Sequence, residues 1–368
     1  MMAALGTLLA AAAASPAAGE SVVVAPFEEA LTFAVSVDGA EKRLIAVTRY
    51  DKGVVEGVDL TQDAQGGDAI DLVNRTGYDA LRAAIESRSA RVTVAAASLA
   101  APARLGDAHV AVGANYRAHA EEANVKDGPF LFPKLVAPTG PRAPIPWKAG
   151  GLLDYEVELC LVALRPIGPT DKAAGGLILC NDVTDRAALL RHVDPAAPSS
   201  GKGFPEGKSA HGFLPVGDLL VVPRDLGAFA RSLTLSLSVN GKVRQDARAD
   251  LWVWDFDRIL NEARARRGEV WPYWSKTAAL PFAADGSLPE RTLILAGTPA
   301  GTIFESFAWT DYAGGVWRWL TSGMKGPVAR AVIETYIARQ TRAKAYLQPG
   351  DVVAIRVDRM GTLVNTVR

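Results

Sequence analysis

Between Ser21 and Ala103, short runs rich in Val, Ile and aromatic residues (SVVVAPF, LTFAVSV, RLIAVTRY) are split by turn formers and followed by a helical stretch, GYDALRAAIESRS. This pattern predicts a small α+β unit. Apolar runs resume at HVAVGANY (His109–Tyr116), YEVELCLVAL (Tyr155–Leu164) and GLILCNDV (Gly176–Val183). Three more follow at LTLSLSVNG (Leu233–Gly241), TLILAGTP (Thr292–Pro299) and DVVAIRVD (Asp351–Asp358). Their length and Val, Ile and Leu content predict strands. Strands dominate without regular strand–helix alternation, which argues against a doubly wound sheet or (β/α) barrel. The expected fold is α+β and β-dominated, with a mixed, strongly curved sheet. The run ARLGD before His109 marks a junction, giving a leader over 1–20, a small domain over 21–105 and a larger one over 106–368. Near the C-terminus, Pro327–Lys344 reads as an amphipathic helix, with Pro327 at its start and Val328, Val332, Ile333, Tyr336 and Ile337 on one face.

Composition narrows the partners. Forty Lys and Arg balance forty Asp and Glu in 368 residues, so no net charge draws the chain to nucleic acid or an anionic membrane. A small molecule is the expected partner. The first 20 residues hold an apolar run, Ala3–Ala13, too short to span a bilayer. Small residues and a proline after it resemble a cleavage region, yet a basic start is missing. An exported protein with a signal peptide and a cytoplasmic one with an Ala-rich tail both stay open. Cys160 and Cys180 are too few for a disulfide scaffold or a thiolate zinc site, so any metal is expected on oxygen. Seven of the eight tryptophans fall between Trp252 and Trp319, a density suited to core filling, an interface or a site cover.

The stretch LDYEVEL carries the clearest chemistry. Strand alternation puts Glu156 and Glu158 on one face, ~6–7 Å apart in rise, with Tyr155, Val157 and Leu159 on the other. Two carboxylates among apolar neighbours repel and resist burial unless a cation or shared proton neutralises them. A hard divalent ion, Mg²⁺ or Mn²⁺, resolves that conflict, and Asp182 at the end of the next apolar strand offers a third oxygen if the strands pair. Taken alone, each feature is more often a solvated strand face or a turn cap. In NYRAHAEE, His119 and Glu122 share a helix face, where the carboxylate can orient a neutral imidazole as a base or form an ordinary surface pair. His109, His192 and His211 show no metal-ligand spacing. GKGFPEGKS fails the phosphate-loop pattern because Lys202 stands where Gly is required. Alternation also puts Cys160 on the face of the glutamates and Cys180 on that of Asp182. Reduced core thiols are the expected state, a disulfide being open to an exported protein whose strands neighbour.

Read in order, VGANYRAHAEE, FPK, DYEVEL, NDVTDR, GKSAHGF-P-VG, VNG, AGTPAGT and LQPGDVVAIRVDRMGTLVNTV resemble the fumarylacetoacetate hydrolase family. The resemblance covers about 108–302 and 347–368, with Ser21–Ala103 similar to the small N-terminal domain of many members. It implies a mixed β-sandwich roll, a homodimer, and Mg²⁺ or Mn²⁺ held by Glu156, Glu158 and Asp182. It further implies His119 and Glu122 as a catalytic dyad on a short lid helix. Lys208 is implied as a catalytic ammonium, and Arg186 and Thr298 as substrate contacts. The implied activity is hydrolytic C–C cleavage of an acylpyruvate or β-diketo acid through a metal-bound enolate. Decarboxylation, isomerisation or hydration of 2-oxo acids and a silent binding or scaffold role are the alternatives. Ala187, Leu189, Ala210, His211 and Gly212 depart from the family's usual residues, which leaves the substrate open. Ile303–Tyr346, with Trp309, Trp317 and Trp319, falls outside the resemblance and reads as a helical insertion.

Overall fold

The computed structural model describes residues 21–368, and the leader lies outside the described residues. The N-terminal part supplies β1 (Ala30–Asp38), β2 (Glu41–Asp51), β3 (Val54–Asp59), then α1 (Thr61–Ala64), α2 (Ala69–Thr76) and α3 (Tyr78–Glu86), then β4 (Val92–Ala95) and β5 (Leu99–Ala100). Next come β6 (His109–Gly113), α4 (Arg117–Glu122), β7 (Phe130–Lys134), β8 (Leu153–Asp154), β9 (Val157–Val162), β10 (Gly176–Asn181) and β11 (Thr184–Asp185). These lead into α5 (Arg186–His192), α6 (Phe204–Lys208), β12 (Leu220–Pro223), α7 (Leu226–Arg231), β13 (Thr234–Val239), β14 (Lys242–Arg248) and α8 (Phe256–Ala265). The chain closes with β15 (Val270–Tyr273), β16 (Lys276–Ala279), β17 (Leu293–Leu295), α9 (Trp309–Thr321), α10 (Val328–Ala343), β18 (Val352–Val357) and β19 (Gly361–Thr366). Every strand expected from the apolar runs after His109 is present.

Ten strands follow the order β4-β3-β2-β1-β12-β10-β9-β17-β6-β7, with β5 on β1, in one sheet. It is mixed, because β17 runs parallel to β6 and antiparallel to β9. The N-terminal strands belong to this same sheet: β1 pairs with β12, Ala30 opposite Pro223 and Phe33 opposite Leu220. The junction before His109 thus joins two halves of one sheet. A second sheet, β14-β13-β18-β19, packs on one face of the first.

Alternation sorts the side chains of β9 between two cores. Val157, Leu159 and Leu161 meet Leu235 and Leu237 of β13 and Val353 and Ile355 of β18. Cys160 and Val162 point the other way, into a core shared with Phe33, Ile178, Cys180 and, from α2 and α3, Ile70 and Ile85. Such two-sided burial explains why β9 and β10 read as nearly continuous apolar runs.

The pairing of β9 with β10 sets Cys180 opposite Glu158 and Ile178 opposite Cys160. The two cysteines are therefore diagonal neighbours on one face, and they form a disulfide with Cα atoms 6.1 Å apart. This corrects the expectation of reduced thiols: alternation identified their shared face, but only the pairing register brings the sulfurs together.

Within 303–346, α9 and α10 pack against each other, and α10 packs against α5. Val332, Ile333, Tyr336 and Ile337 are buried as the helical period requires, whereas Val328 stays 41% exposed. Gly315 permits the close crossing, since a Cβ there would lie 2.5 Å from the Val332 Cα. Trp309 and Trp317 are 77% and 69% exposed, so these tryptophans fill no core.

Candidate active site

The site lies where β9 begins and β10 ends. The Asp182 amide donates to the Glu156 carbonyl (2.9 Å), which extends the ladder one step and places Asp182 beside the glutamates. One oxygen from each of Glu156, Glu158 and Asp182 lies within 4.8 Å of the others, and all three residues are buried. Three cations surround them. Lys208 Nζ donates to Glu156 Oε2 and Asp182 Oδ2, both at 2.7 Å. Arg186 reaches Asp154 Oδ2 at 2.9 Å and Glu156 Oε1 at 2.7 Å. Lys134 Nζ donates to Asp182 Oδ1 at 2.5 Å and to the Lys208 carbonyl at 2.6 Å. Glu158 has no cationic partner among the described residues and accepts only the Gly297 amide, at 2.8 Å.

The electrostatics follow from this count of four buried carboxylates against three cations. Burial, then the charges of Asp182 and Glu156, push the Glu158 carboxyl well above its ordinary range. Burial also opposes ionisation of Asp182, but Lys134 and Lys208 outweigh it and hold that carboxyl below its ordinary value. The residual excess of negative charge, with oxygen-only donors and an uncompensated Glu158, suits a hard divalent cation such as Mg²⁺ or Mn²⁺ held by Glu156, Glu158 and Asp182.

His119 on α4 is buried, and its Nδ1 lies 3.1 Å from Glu122 Oε2. Glu122 is anchored in turn by the Gly301 amide, at 3.2 Å from Oε1. The segment 296–302 therefore holds both halves of the site, Gly297 on Glu158 and Gly301 on Glu122. Gly301 has φ +104°, and a Cβ would fall 2.0 Å from the Arg244 carbonyl oxygen, so only glycine fits. Thr298 donates to the Val157 carbonyl (3.0 Å) and accepts from Gln245 Nε2 (2.8 Å), which fastens the segment to β9.

One cavity of about 570 Å³ is lined by His119, Glu156, Arg186, Lys208 and Thr298 together. Its remaining lining is largely apolar and includes Phe130, Leu189, Phe304, Phe307, Val332 and Ile333. Glu158, Asp182 and Glu122 do not line the cavity themselves and adjoin it through Glu156 and His119. His211 is exposed and does not line the cavity.

Three buried residues of the site escaped the sequence reading. Asp154 shares the alternating face of Glu156 and Glu158, and that spacing was the available signal. Lys134 ends the apolar strand β7, where a lone charge after FLFP was a weaker one. Gln245, on the second sheet, donates to Thr298 and accepts the Val157 amide at 3.0 Å, and no local pattern announces it.

Residues 108–368 match the model of the fumarylacetoacetate (FAA) hydrolase C-terminal domain. The chain belongs to the fumarylacetoacetate hydrolase family. The match runs through the helical segment 303–346, which the sequence resemblance had left out. An uncharacterized protein of Staphylococcus epidermidis is 27% identical over 267 residues, covering 70% of this chain and 67% of its own. Two solved structures share the fold of this fumarylacetoacetate hydrolase family member. Fumarylacetoacetate hydrolase from the psychrophilic Exiguobacterium antarcticum has a TM-score of 0.57 at 23% identity, covering 92% of this chain and 99% of that one. The 2-hydroxyhepta-2,4-diene-1,7-dioate isomerase of Mycobacterium marinum has a TM-score of 0.52 at 21% identity, with coverages of 92% and 98%. Among the described residues no helix is long and apolar enough to cross a membrane.

Proposed function

We propose that this chain is a divalent-metal-dependent enzyme acting on a 2-oxo acid of the acylpyruvate or β-diketo acid type, and that it cleaves a C–C bond by hydrolysis. The observation that carries this reading is one cavity lined both by Glu156, a member of the buried three-carboxylate cluster, and by His119, the imidazole of the His–Glu pair. An ion held by Glu156, Glu158 and Asp182 would anchor the carboxylate and keto oxygens of the substrate and offset enolate charge.

The protein's own groups supply the rest. Glu122 holds His119 through Nδ1, which leaves Nε2 to take a proton from water. The hydroxide adds to the distal carbonyl, and the bond between that carbon and the pyruvyl CH₂ breaks with its electron pair passing to the CH₂ side. The imidazolium returns its proton there, giving a carboxylic acid and a 2-oxo acid. Lys208 steadies the developing oxyanion, Arg186 faces the substrate carboxylate, and Thr298 fixes the cavity wall. A homodimer belongs to the same proposal and is read out by light scattering.

The test is an assay with added Mg²⁺ over acylpyruvates, oxaloacetate and unsaturated oxo-dioates, repeated after chelation and on His119→Ala. Hydrolysis of an acylpyruvate that disappears in both controls supports the reading. Turnover that survives both overturns it, and turnover restricted to oxaloacetate or the unsaturated dioates reassigns the reaction.

A further inference from the structure

We infer that the substrate's distal group is apolar: an alkyl or aryl acyl substituent, not a second carboxylate. This rests on the 2-oxo acid reading above and specifies its substrate class. Beside the charged floor, the cavity wall is built by Leu189 of α5, by Phe304 and Phe307, and by Val332 of α10, with the Arg186 guanidinium packed 5.3 Å from the centre of the Phe304 ring. Of the lining residues only Arg186 and Lys208 are permanent cations; both are held at the floor by Asp154, Glu156 and Asp182, and under the proposed function they are already committed to the 2-oxo acid end and the oxyanion. A second carboxylate placed against this wall would be stripped of water and would meet no cation other than Arg186, which Asp154 and Glu156 already share, and that is strongly unfavourable. An apolar tail in the same place gains from leaving water.

The exit from the cavity has the same character. Tyr312, Val316 and Val328 line the cavity and are also 54%, 43% and 41% exposed, so they form an apolar mouth between α9 and α10. A chain too long for the cavity can leave along this mouth without meeting a charge. The helices that Ile303–Tyr346 adds therefore act as the specificity wall for the tail.

Calorimetric binding in the presence of Mg²⁺ tests this with a matched pair, 2-oxooctanoate and 2-oxooctanedioate, which differ only in the terminal carboxylate. The monoacid is expected to bind tighter by roughly tenfold or more. Val328→Arg, at an exposed position that tolerates charge, is expected to narrow that gap at least about threefold by giving the dioate a partner. Equal or tighter binding of the dioate to the unaltered protein overturns the inference and leaves the 2-oxo acid reading standing. An unchanged gap in a folded Val328→Arg variant overturns the placement of the tail at the α9–α10 mouth. Failure of both acids to bind with Mg²⁺ overturns the 2-oxo acid reading, and the inference with it.

Discussion

The floor and the wall of the cavity are built on opposite principles. In the floor, Asp154, Glu156 and Asp182 each meet a cation within a single buried network, and the geometry is fixed by hydrogen bonds from several elements. In the wall, α9 and α10 meet the site through apolar side chains and leave one helix face in water. Buried polar networks tolerate little change, because an orphaned charge costs more than a lost contact. Apolar walls tolerate resizing, which makes them the part suited to setting substrate preference. Under the proposed function, chemistry and specificity fall to different regions of one chain.

Breaking the floor should have the largest effects. His119→Ala is expected to lower turnover about 10²–10⁴-fold with little change in melting temperature, since it removes a proton carrier and leaves the ion-pair network intact. Steady-state kinetics beside a thermal melt checks both halves of this. Arg186→Met should destabilise the fold by about 3–5 kcal/mol, because Asp154 and Glu156 lose a shared partner within the core. Chemical denaturation reads that loss directly, and a cost under about 1 kcal/mol would remove the network from its structural role.

Glu158→Gln should act with the opposite sign. The Glu158 carboxyl is raised above its ordinary value of 4.5 in the folded protein. The folded state then holds a proton that the unfolded state releases, so this group makes stability fall as pH rises from the ordinary value toward the raised one. In metal-free protein the variant should melt about 2 °C or more above the parent at neutral pH, with the difference shrinking toward pH 4. On the proposed function the parent should gain stability with Mg²⁺ and the variant should not, which a melt with and without the ion measures. Smallest of all, Trp317→Gln on the exposed face of α9 should change stability by no more than about 0.5 kcal/mol. A larger loss would mean that this face is covered in solution.

The same contrast explains what was legible in the sequence. Glu156 and Glu158 stood out because alternation sets two carboxylates on one face of an otherwise apolar strand, and Asp182 joined them on the condition that its strand pairs with theirs. His119 and Glu122 were visible through helical spacing. Lys134 and Gln245 were not, since the contacts that give them meaning join elements far apart in the chain. The single sheet shared by β1 and β12 was hidden for the same reason: periodicity reports which face of a strand is buried, never which strand lies beside it. The disulfide depended on that missing register as well. In 303–346 the amphipathic α10 was readable, but its closeness to the site follows from its packing on α5, a contact between elements far apart in the chain.

Surface loops ordinarily absorb insertions and deletions with little consequence. The connection after β17 should be an exception. It works as a gauge: one backbone amide grips the acid cluster, another grips Glu122, and the intervening Thr298-Pro299-Ala300 sets the gap between them. Adding or deleting a residue there would leave every side chain of the site present and the distance between its two halves wrong.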